Sequence, residues 1–571
     1  MKISKKRASS ADRAEAGLPV VEVSGHWAKV FSGRSRITLE EALPAYLMAR
    51  RWFQGKARQI KNASFAEIVP MGDSTDACLT QVRVEYTEED PELYTMPLAF
   101  ACGERADLLC EASDSAILAR ASVRQTDLEQ SGVIYDAVLD KNFCVAIVDM
   151  IARRRHLRGV SGDFIASYMR MLRQGLGARV TNLAVSSIRA EQTNSSIVFG
   201  DRYILKLFRK LENGINPDLE LGRFLTQHAQ FPYVPPLAGS IEYRNRKGET
   251  AVVGVLHRFK TNEGDAWQHT LDALSHYLER AVTCQADLST LELPRKPFVH
   301  LLDDPSVPLA RLDLIGPYYE AVKLLGQRTA ELHLALASDT EHPDYSPEPF
   351  TVLYQRSLYQ SMRNHSGQMF LLLKKSLKSL PTRIGEDALK ILDSRTEAIS
   401  RFRKILSAKI SAYRTRIHGD FHLGQVLYTG KDYFIIDFEG EPARPLTERR
   451  IKRSPLRDVA GMLRSFHYAA YTSLFGHLGG AIRTEDLAAL EPWARLWNVW
   501  ISSAYLASYL HHAASGGFLP TKAEHTKIVL EIYLLEKALY ELGYELNNRP
   551  DWLHIPLAGI RQLLEAEGAV R

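Results

Sequence analysis

One stretch constrains the fold more than any other part of the chain. It is Arg416-Ile417-His418-Gly419-Asp420-Phe421-His422-Leu423-Gly424-Gln425-Val426-Leu427, followed shortly by Tyr433-Phe434-Ile435-Ile436-Asp437-Phe438-Glu439. Between the two runs, Thr429-Gly430-Lys431-Asp432 has the composition of a turn. The pattern predicts a loop feeding a hairpin whose second strand, Tyr433 to Ile436, delivers an acid at its end. Asp420 stands five residues before Gln425, and Asp437 twelve after it. Phosphoryl transfer asks for this set. One carboxylate, Asp420, would accept the proton of an attacking hydroxyl and hold its oxygen in line. Oxygen donors, Gln425 and Asp437, would hold a Mg²⁺ that bridges nucleotide phosphates. Glu439 is a further candidate for the metal or for a metal-bound water. A single acid beside a buried strand would read as surface; the whole set together does not.

The nucleotide side lies upstream. In Tyr203-Ile204-Leu205-Lys206-Leu207-Phe208, strand alternation puts Lys206 on the face of Ile204 and Phe208. An ammonium inside such an apolar strand must pair or face a cleft, because burying it alone is costly. Lys206 is therefore the candidate for bridging phosphates. Glu220, on a helix opened by Asn216 and Pro217, is the candidate partner. The polar stretch Ala190-Glu191-Gln192-Thr193-Asn194-Ser195-Ser196 offers Thr193, Asn194, Ser195 and Ser196 as phosphate contacts, although a polar hairpin turn reads equally well. It carries no G-x-G-x-x-G pattern, and the chain lacks a G-x-x-x-x-G-K-[ST] loop, which argues against a P-loop kinase. Downstream, Asp458 near a helix start is placed to brace the catalytic loop. Glu441 and Arg457 bound a segment expected to supply carboxylates and guanidinium groups to an acceptor. The basic run from Arg449 to Arg453 reads equally well as a nucleotide flank or a solvated surface.

At 571 residues the chain is too long for one growing core, so two or three units are expected. A formal charge of +5, from 72 basic and 67 acidic side chains, predicts no nucleic-acid partner. No apolar run has the length of a membrane span, and the basic start is not followed by a signal segment. Cys78, Cys102, Cys110, Cys144 and Cys284 match no zinc spacing and suggest buried thiols in a reducing cytoplasm.

Periodicity predicts a helix over 39–51, then strands over 64–69, 77–86, 93–99 and 108–109. Further strands are expected over 181–189, 195–199, 202–208 and 252–258. Beyond these come helices over 267–278, 318–337, 351–380, 387–411, 456–473, 487–511 and 526–545. The stretch 294–308 reads as an insertion or surface loop. A mostly β half is thus followed by a mostly α half, an α+β chain.

At these residues the sequence closely resembles bacterial maltokinases, including the kinase portion found behind trehalose synthase. The resemblance opens with Leu43-Pro44-Ala45-Tyr46-Leu47 and Arg50-Arg51-Trp52-Phe53-Gln54-Gly55-Lys56. It continues through Glu191 to Ser196 and the Lys206 strand, and is most specific from His418 to Ser465. It implies a bilobed protein-kinase-like fold with a mixed β N-lobe, a helical C-lobe and an added N-terminal α/β cap. On that basis 1–22 is a flexible tail, 23–130 the cap, 131–262 the ATP-binding N-lobe and 263–571 the catalytic and sugar-binding C-lobe.

The resemblance further implies transfer from ATP, with Mg²⁺, to the anomeric hydroxyl of maltose. The product would be α-maltose 1-phosphate for α-glucan synthesis, made by a cytoplasmic enzyme. Asp420 would be the base, Gln425 and Asp437 metal ligands, with Gln425 in the place of a protein kinase's Asn, and Lys206 the phosphate lysine. An association with a separate trehalose synthase is a partner the resemblance suggests; an isomerase activity in this chain is not expected. Ala266, in Asn262 to Trp267, stands where the family usually has a second glycine. The alternatives are a kinase for another sugar or an aminoglycoside, and a kinase-shaped regulatory module without activity.

Overall fold

A computed structural model describes residues 17–72, 75–125, 128–169, 183–188, 193–283, 314–475 and 487–565. By internal contacts the chain forms two units, one of 1–220 with 236–260 and one of 221–235 with 261–571.

The first unit holds two sheets. Strands β1 (Val20–Ser24), β2 (Ile60–Pro70), β3 (Cys78–Tyr86), β4 (Glu92–Thr95), β5 (Leu98–Cys102), β6 (Ile117–Gln125) and β7 (Leu128–Asp136) build the first. Its order is β1-β6-β7-β5-β3-β4, with β2 on β3. Only the β1–β6 pair is parallel. The helix Gly33–Met48 packs on this sheet through Leu39, Leu43 and Leu47 among Phe31, Phe65, Val82 and Ile134.

The strands of the second sheet are β8 (His156–Arg158), β9 (Gly162–Tyr168), β10 (Val185–Ile188), β11 (Asn194–Phe199), β12 (Tyr203–Phe208), β14 (Leu237–Asn245) and β15 (Thr250–Arg258). They run in the order β10-β11-β12-β15-β14-β9-β8. Between β12 and β14 the short strand β13 (Lys210–Leu211) leaves this sheet and pairs antiparallel with β4 of the first. Both sheets and the apolar helix Lys141–Ala152 share one core, which includes Leu79, Tyr135, Phe143, Ile147, Ile197, Leu205 and Val253.

The second unit is mainly helical. Its core gathers the helices Ala266–Thr283, Tyr318–Leu336, Val352–Ser376, Leu456–Phe475, Leu487–Ala513 and Ala523–Asn548 around Trp497, Tyr505 and Tyr509. A two-stranded hairpin, Val426–Tyr428 with Tyr433–Ile435, is set against this core by Val426, Tyr433 and Ile435.

Several expectations are corrected. Leu108 and Leu109 are not a strand; they lie in the helix Glu104–Ser113, where two adjacent leucines are too few to reveal a period. The expected helix 387–411 is two helices, Thr382–Asp393 and Arg395–Arg403, separated at Ser394. The boundaries at 22 and 130 fall inside β1 and β7, so the first sheet runs to Asp136. Residues 1–16 of the expected tail and the stretch 294–308 lie outside the described residues. Cys78, Cys102, Cys110 and Cys144 are free thiols, and burial pushes Cys78 and Cys144 up to about 12. Cys284 lies outside the described residues. Among the described residues no helix is long and apolar enough to cross a membrane.

Candidate active site

The loop of His418 to Phe421, in the second unit, is held from behind by a buried acid. Asp458 sits in the first turn of the helix Leu456–Phe475. Its Oδ2 accepts from His418 N at 2.7 Å and its Oδ1 from Gly419 N at 3.0 Å. His333 Nε2 lies 3.2 Å from the same carboxylate, and its Nδ1 lies 2.9 Å from the Tyr509 hydroxyl. Burial alone would raise the Asp458 carboxyl; the hydrogen bond and charge of His333 hold it below its ordinary value.

His418 then ties the loop to the strand that follows. Its Nε2 donates to Ile436 O at 2.8 Å, while Nδ1 faces Asp420 N at 3.4 Å, which sets the tautomer. The ring packs between Phe421 and Phe438. Gly419 and Gly440 both have left-handed backbones, φ +91° and +74°, and a Cβ on Gly419 would come within 3.3 Å of Gly440 Cα. The loop carrying Asp420 and the loop after Asp437 therefore touch backbone to backbone.

Asp437 is itself left-handed, φ +66°, one of the few non-glycine residues described there. Such a conformation costs on the order of 1 kcal/mol and persists where the surroundings impose it. It lets Asp437 and Glu439 stay half-exposed on either side of buried Phe438. Carboxylate oxygens of the two acids lie within 4.8 Å of one another. Gln425 Nε2 donates to Asp437 Oδ2 at 2.9 Å, which commits the amide nitrogen and makes the amide oxygen the atom the group could offer a metal. Three side chains offering oxygen fit a hard divalent cation such as Mg²⁺. When bound, that cation would neutralise phosphate charge.

Asp420 lines a cleft with about 380 Å³ of open space, bounded by Glu441, Arg444, Arg457, Glu536, Lys537 and Tyr540 among others. Lys537, on the helix Ala523–Asn548, lies 3.2 Å from Asp420 Oδ1 and 3.4 Å from Glu441 Oε1. Burial works against its charge, but Asp420 and Glu441 outweigh burial and hold its ammonium far above the ordinary lysine range. Glu441, almost fully buried, also accepts from Arg444 Nε at 2.5 Å and Arg457 Nη2 at 3.1 Å. Burial would raise it; Arg457, Lys537 and Arg444 together drive it well below the usual carboxylate range.

In the first unit, β12 places Lys206 as expected, between buried Leu205 and Leu207 and 5.5 Å from the Phe208 ring centre. Its Nζ lies 3.3 Å from Asp218 Oδ2. Asp218, not singled out from the sequence, lies with the expected partner Glu220, also buried, on the helix Pro217–Gln227. The signal was present: Asn216 Oδ1 accepts from Asp218 N at 2.8 Å, as an N-cap does, so the acid two residues on lies in the first turn. Asn194, Ser195 and Ser196 open β11, where Ser196 stands cross-strand from Lys206, and Thr193 precedes them. Residues 190–192 lie outside the described residues. Lys537 was missed too. A lone lysine amid Leu534, Leu535, Ala538 and Leu539 was its only mark.

Residues 46–140 match the maltokinase N-terminal cap domain. The chain carries a maltokinase cap on a protein-kinase-like fold. Among curated proteins it is similar to a glucosamine kinase of Mycolicibacterium smegmatis, 24% identical over 66% of this chain and 79% of the relative. A glucosamine kinase of Streptacidiphilus jiangxiensis is 26% identical over 26% of this chain and 31% of that one. Among solved structures, a glucosamine kinase in complex with glucosamine, ADP and inorganic phosphate superposes with a TM-score of 0.55 at 16% identity, over 92% of this chain and 99% of that one. A second crystal form of glucosamine kinase gives 0.56 at 17% identity, over 90% and 97%. At such identities the likeness speaks for the fold. The match over 46–140 bears out the expected cap, and these superpositions bear out the expected fold.

Proposed function

We propose that this chain transfers the γ-phosphoryl group of ATP to a sugar hydroxyl, and that the acceptor is maltose, phosphorylated at its anomeric hydroxyl to α-maltose 1-phosphate. The observation carrying this reading is the cleft around Asp420. A carboxylate that can take a hydroxyl proton stands there beside an ammonium, with further carboxylates and guanidinium groups suited to the hydroxyls of a polyol. Asp420 accepts the acceptor's proton, Lys206 binds nucleotide phosphate, and Gln425, Asp437 and Glu439 hold Mg²⁺. Maltose itself rests on the cap and the resemblance, as do a role in α-glucan synthesis and an association with trehalose synthase. A second reading, an amino sugar, is favoured by the names of the relatives and by the carboxylates of Glu441 and Glu536, which could meet an ammonium.

Measuring ADP release with maltose, glucosamine, glucose, trehalose and kanamycin separates the readings. Turnover with maltose, with loss of its reducing end, is expected; turnover with glucosamine alone transfers the assignment to the second reading. Asp420→Asn should lower kcat at least about a hundredfold, the usual worth of a positioned base, while MgATP still binds. Parent-like turnover in that variant would remove Asp420 from the reaction.

A further inference from the structure

Asp420 and Lys537 line the cleft as a pair, with side chains 22% and 20% exposed. Lys537 Nζ engages one oxygen of the acid, Oδ1, at 3.2 Å. Among the described residues Oδ2 has no partner, so it is the oxygen left for an acceptor's hydroxyl. Glu441 fixes the ammonium from the other side. Its Oε1 lies 3.4 Å from Nζ, and its Oε2 is engaged by Arg444 and Arg457. Lys537 stands on the helix Ala523–Asn548 beside buried Leu534, Leu535, Ala538 and Leu539, so the backbone beneath it is packed in place.

An ammonium carries three N–H donors and no acceptor. The two carboxylates take two of them. Beyond these, Nζ has the Tyr540 ring, its centre 4.7 Å away, and no further hydrogen-bond partner among the described residues. A ring face attracts the charge but is a weak acceptor. An acceptor molecule in the cleft shuts water away from that third donor, and a donor left unmatched there is costly. What matches it is an oxygen beside the reacting one. Two oxygens on neighbouring carbons, when gauche, stand about as far apart as Nζ and Oδ1. The reacting hydroxyl then donates to the carboxylate while its neighbour accepts from the ammonium. An amine on the neighbouring carbon would instead set a like charge against Lys537.

We infer that Lys537 reads the acceptor: the carboxylate–ammonium pair selects a hydroxyl whose adjacent carbon carries an oxygen, and rejects one beside a bare methylene or an amine. In maltose that oxygen is the 2-hydroxyl of the reducing ring. The inference rests on the phosphoryl-transfer reading above, with Asp420 as the base.

The test compares maltose with maltose deoxygenated at C2 of its reducing ring. The readout is kcat/KM for ADP release at saturating MgATP, in the parent and in Lys537→Met. The parent should favour maltose by at least about tenfold, and the variant by less than about twofold. Any loss that the substitution causes with both sugars, through Asp420 or through the fold, cancels in that ratio. KM for ATP should stay within about twofold of the parent's. A parent that uses the two sugars alike overturns the inference, as does a variant that discriminates as the parent does. Should Lys537→Met fail to fold, the parent's own ratio decides. Should glucosamine be the acceptor in place of maltose, the position phosphorylated decides. Phosphate on the 4- or 6-hydroxyl, each beside a carbon bearing oxygen, supports the inference; phosphate on the 1- or 3-hydroxyl, each beside the amine, overturns it. A parent chain that releases ADP with none of these sugars overturns the phosphoryl-transfer reading and this inference with it.

Discussion

Lys537 lies between the acid assigned to proton transfer and a buried acid that touches no hydroxyl in that role. The ammonium stands between the Asp420 and Glu441 carboxylates within one cleft. Lys537→Met keeps the length of the side chain and removes that charge. Two carboxylates are then left without the cation between them, and kcat/KM should fall about tenfold or more. Parent-like kcat/KM in a folded Lys537→Met protein would show the ion pair to be idle. Glu441 makes a separate prediction about pH. Its folded value is depressed, so the stability it contributes is complete above the ordinary glutamate value and is lost as pH falls below it. Removing the charge with Glu441→Gln deprives the largely buried Arg457 of the carboxylate it pairs with, a cost of about 3 kcal/mol at pH 7. Denaturant midpoints should differ widely between parent and variant at neutral pH and draw together progressively as pH falls below the ordinary glutamate value. A gap independent of pH would mean that the carboxylate charge is not what the site uses.

At the scale of elements, the parts that were legible are those whose partners lie nearby in the chain. Gly430 between two apolar runs announced the hairpin that carries Asp437 at its end, and Asn216-Pro217 announced the helix beside Lys206, because turn and cap chemistry act within a few residues. The hidden elements are those decided by tertiary burial. Strands β6, β7, β9 and β14 carry charged or polar residues among their apolar ones, and only the shared core makes them strands. Lys537 meets Asp420 across 117 residues, a separation over which no local pattern speaks. One close approach between elements is testable. A Cβ on Gly461, in the helix Leu456–Phe475, would stand 2.5 Å from Phe421 O, next to Asp420, the proposed base. The helix cannot yield without moving Asp458, so the loop of Asp420 must. Gly461→Ala should cost about 1–3 kcal/mol and lower kcat, by the usual penalty of overpacking. Unchanged stability and turnover would show that the loop has slack there.

For the whole molecule, the charge balance is nearly even, and the distinctive electrostatics are local. The acids of the second unit that would hold a metal come from one loop and one strand end, with Gln425 turned so that its nitrogen serves Asp437 and its oxygen is left over. Such a set gains little from nucleotide alone, since phosphates and carboxylates repel, and gains most from a divalent cation shared with the phosphates. Ligand binding to the folded state stabilises the whole chain by mass action, about 2.7 kcal/mol at a hundred times Kd. MgATP should therefore raise Tm clearly, whereas ATP with a chelator should raise it little, and chelation should abolish turnover until Mg²⁺ is restored. Asp437→Asn should shrink the Tm gain from MgATP and leave the Tm of the ligand-free protein about where it was, because the residue already bears a left-handed backbone that Asn tolerates as well as Asp. Equal Tm gains from ATP with and without the cation would remove the metal from the nucleotide's binding and, with it, the roles assigned to Gln425, Asp437 and Glu439.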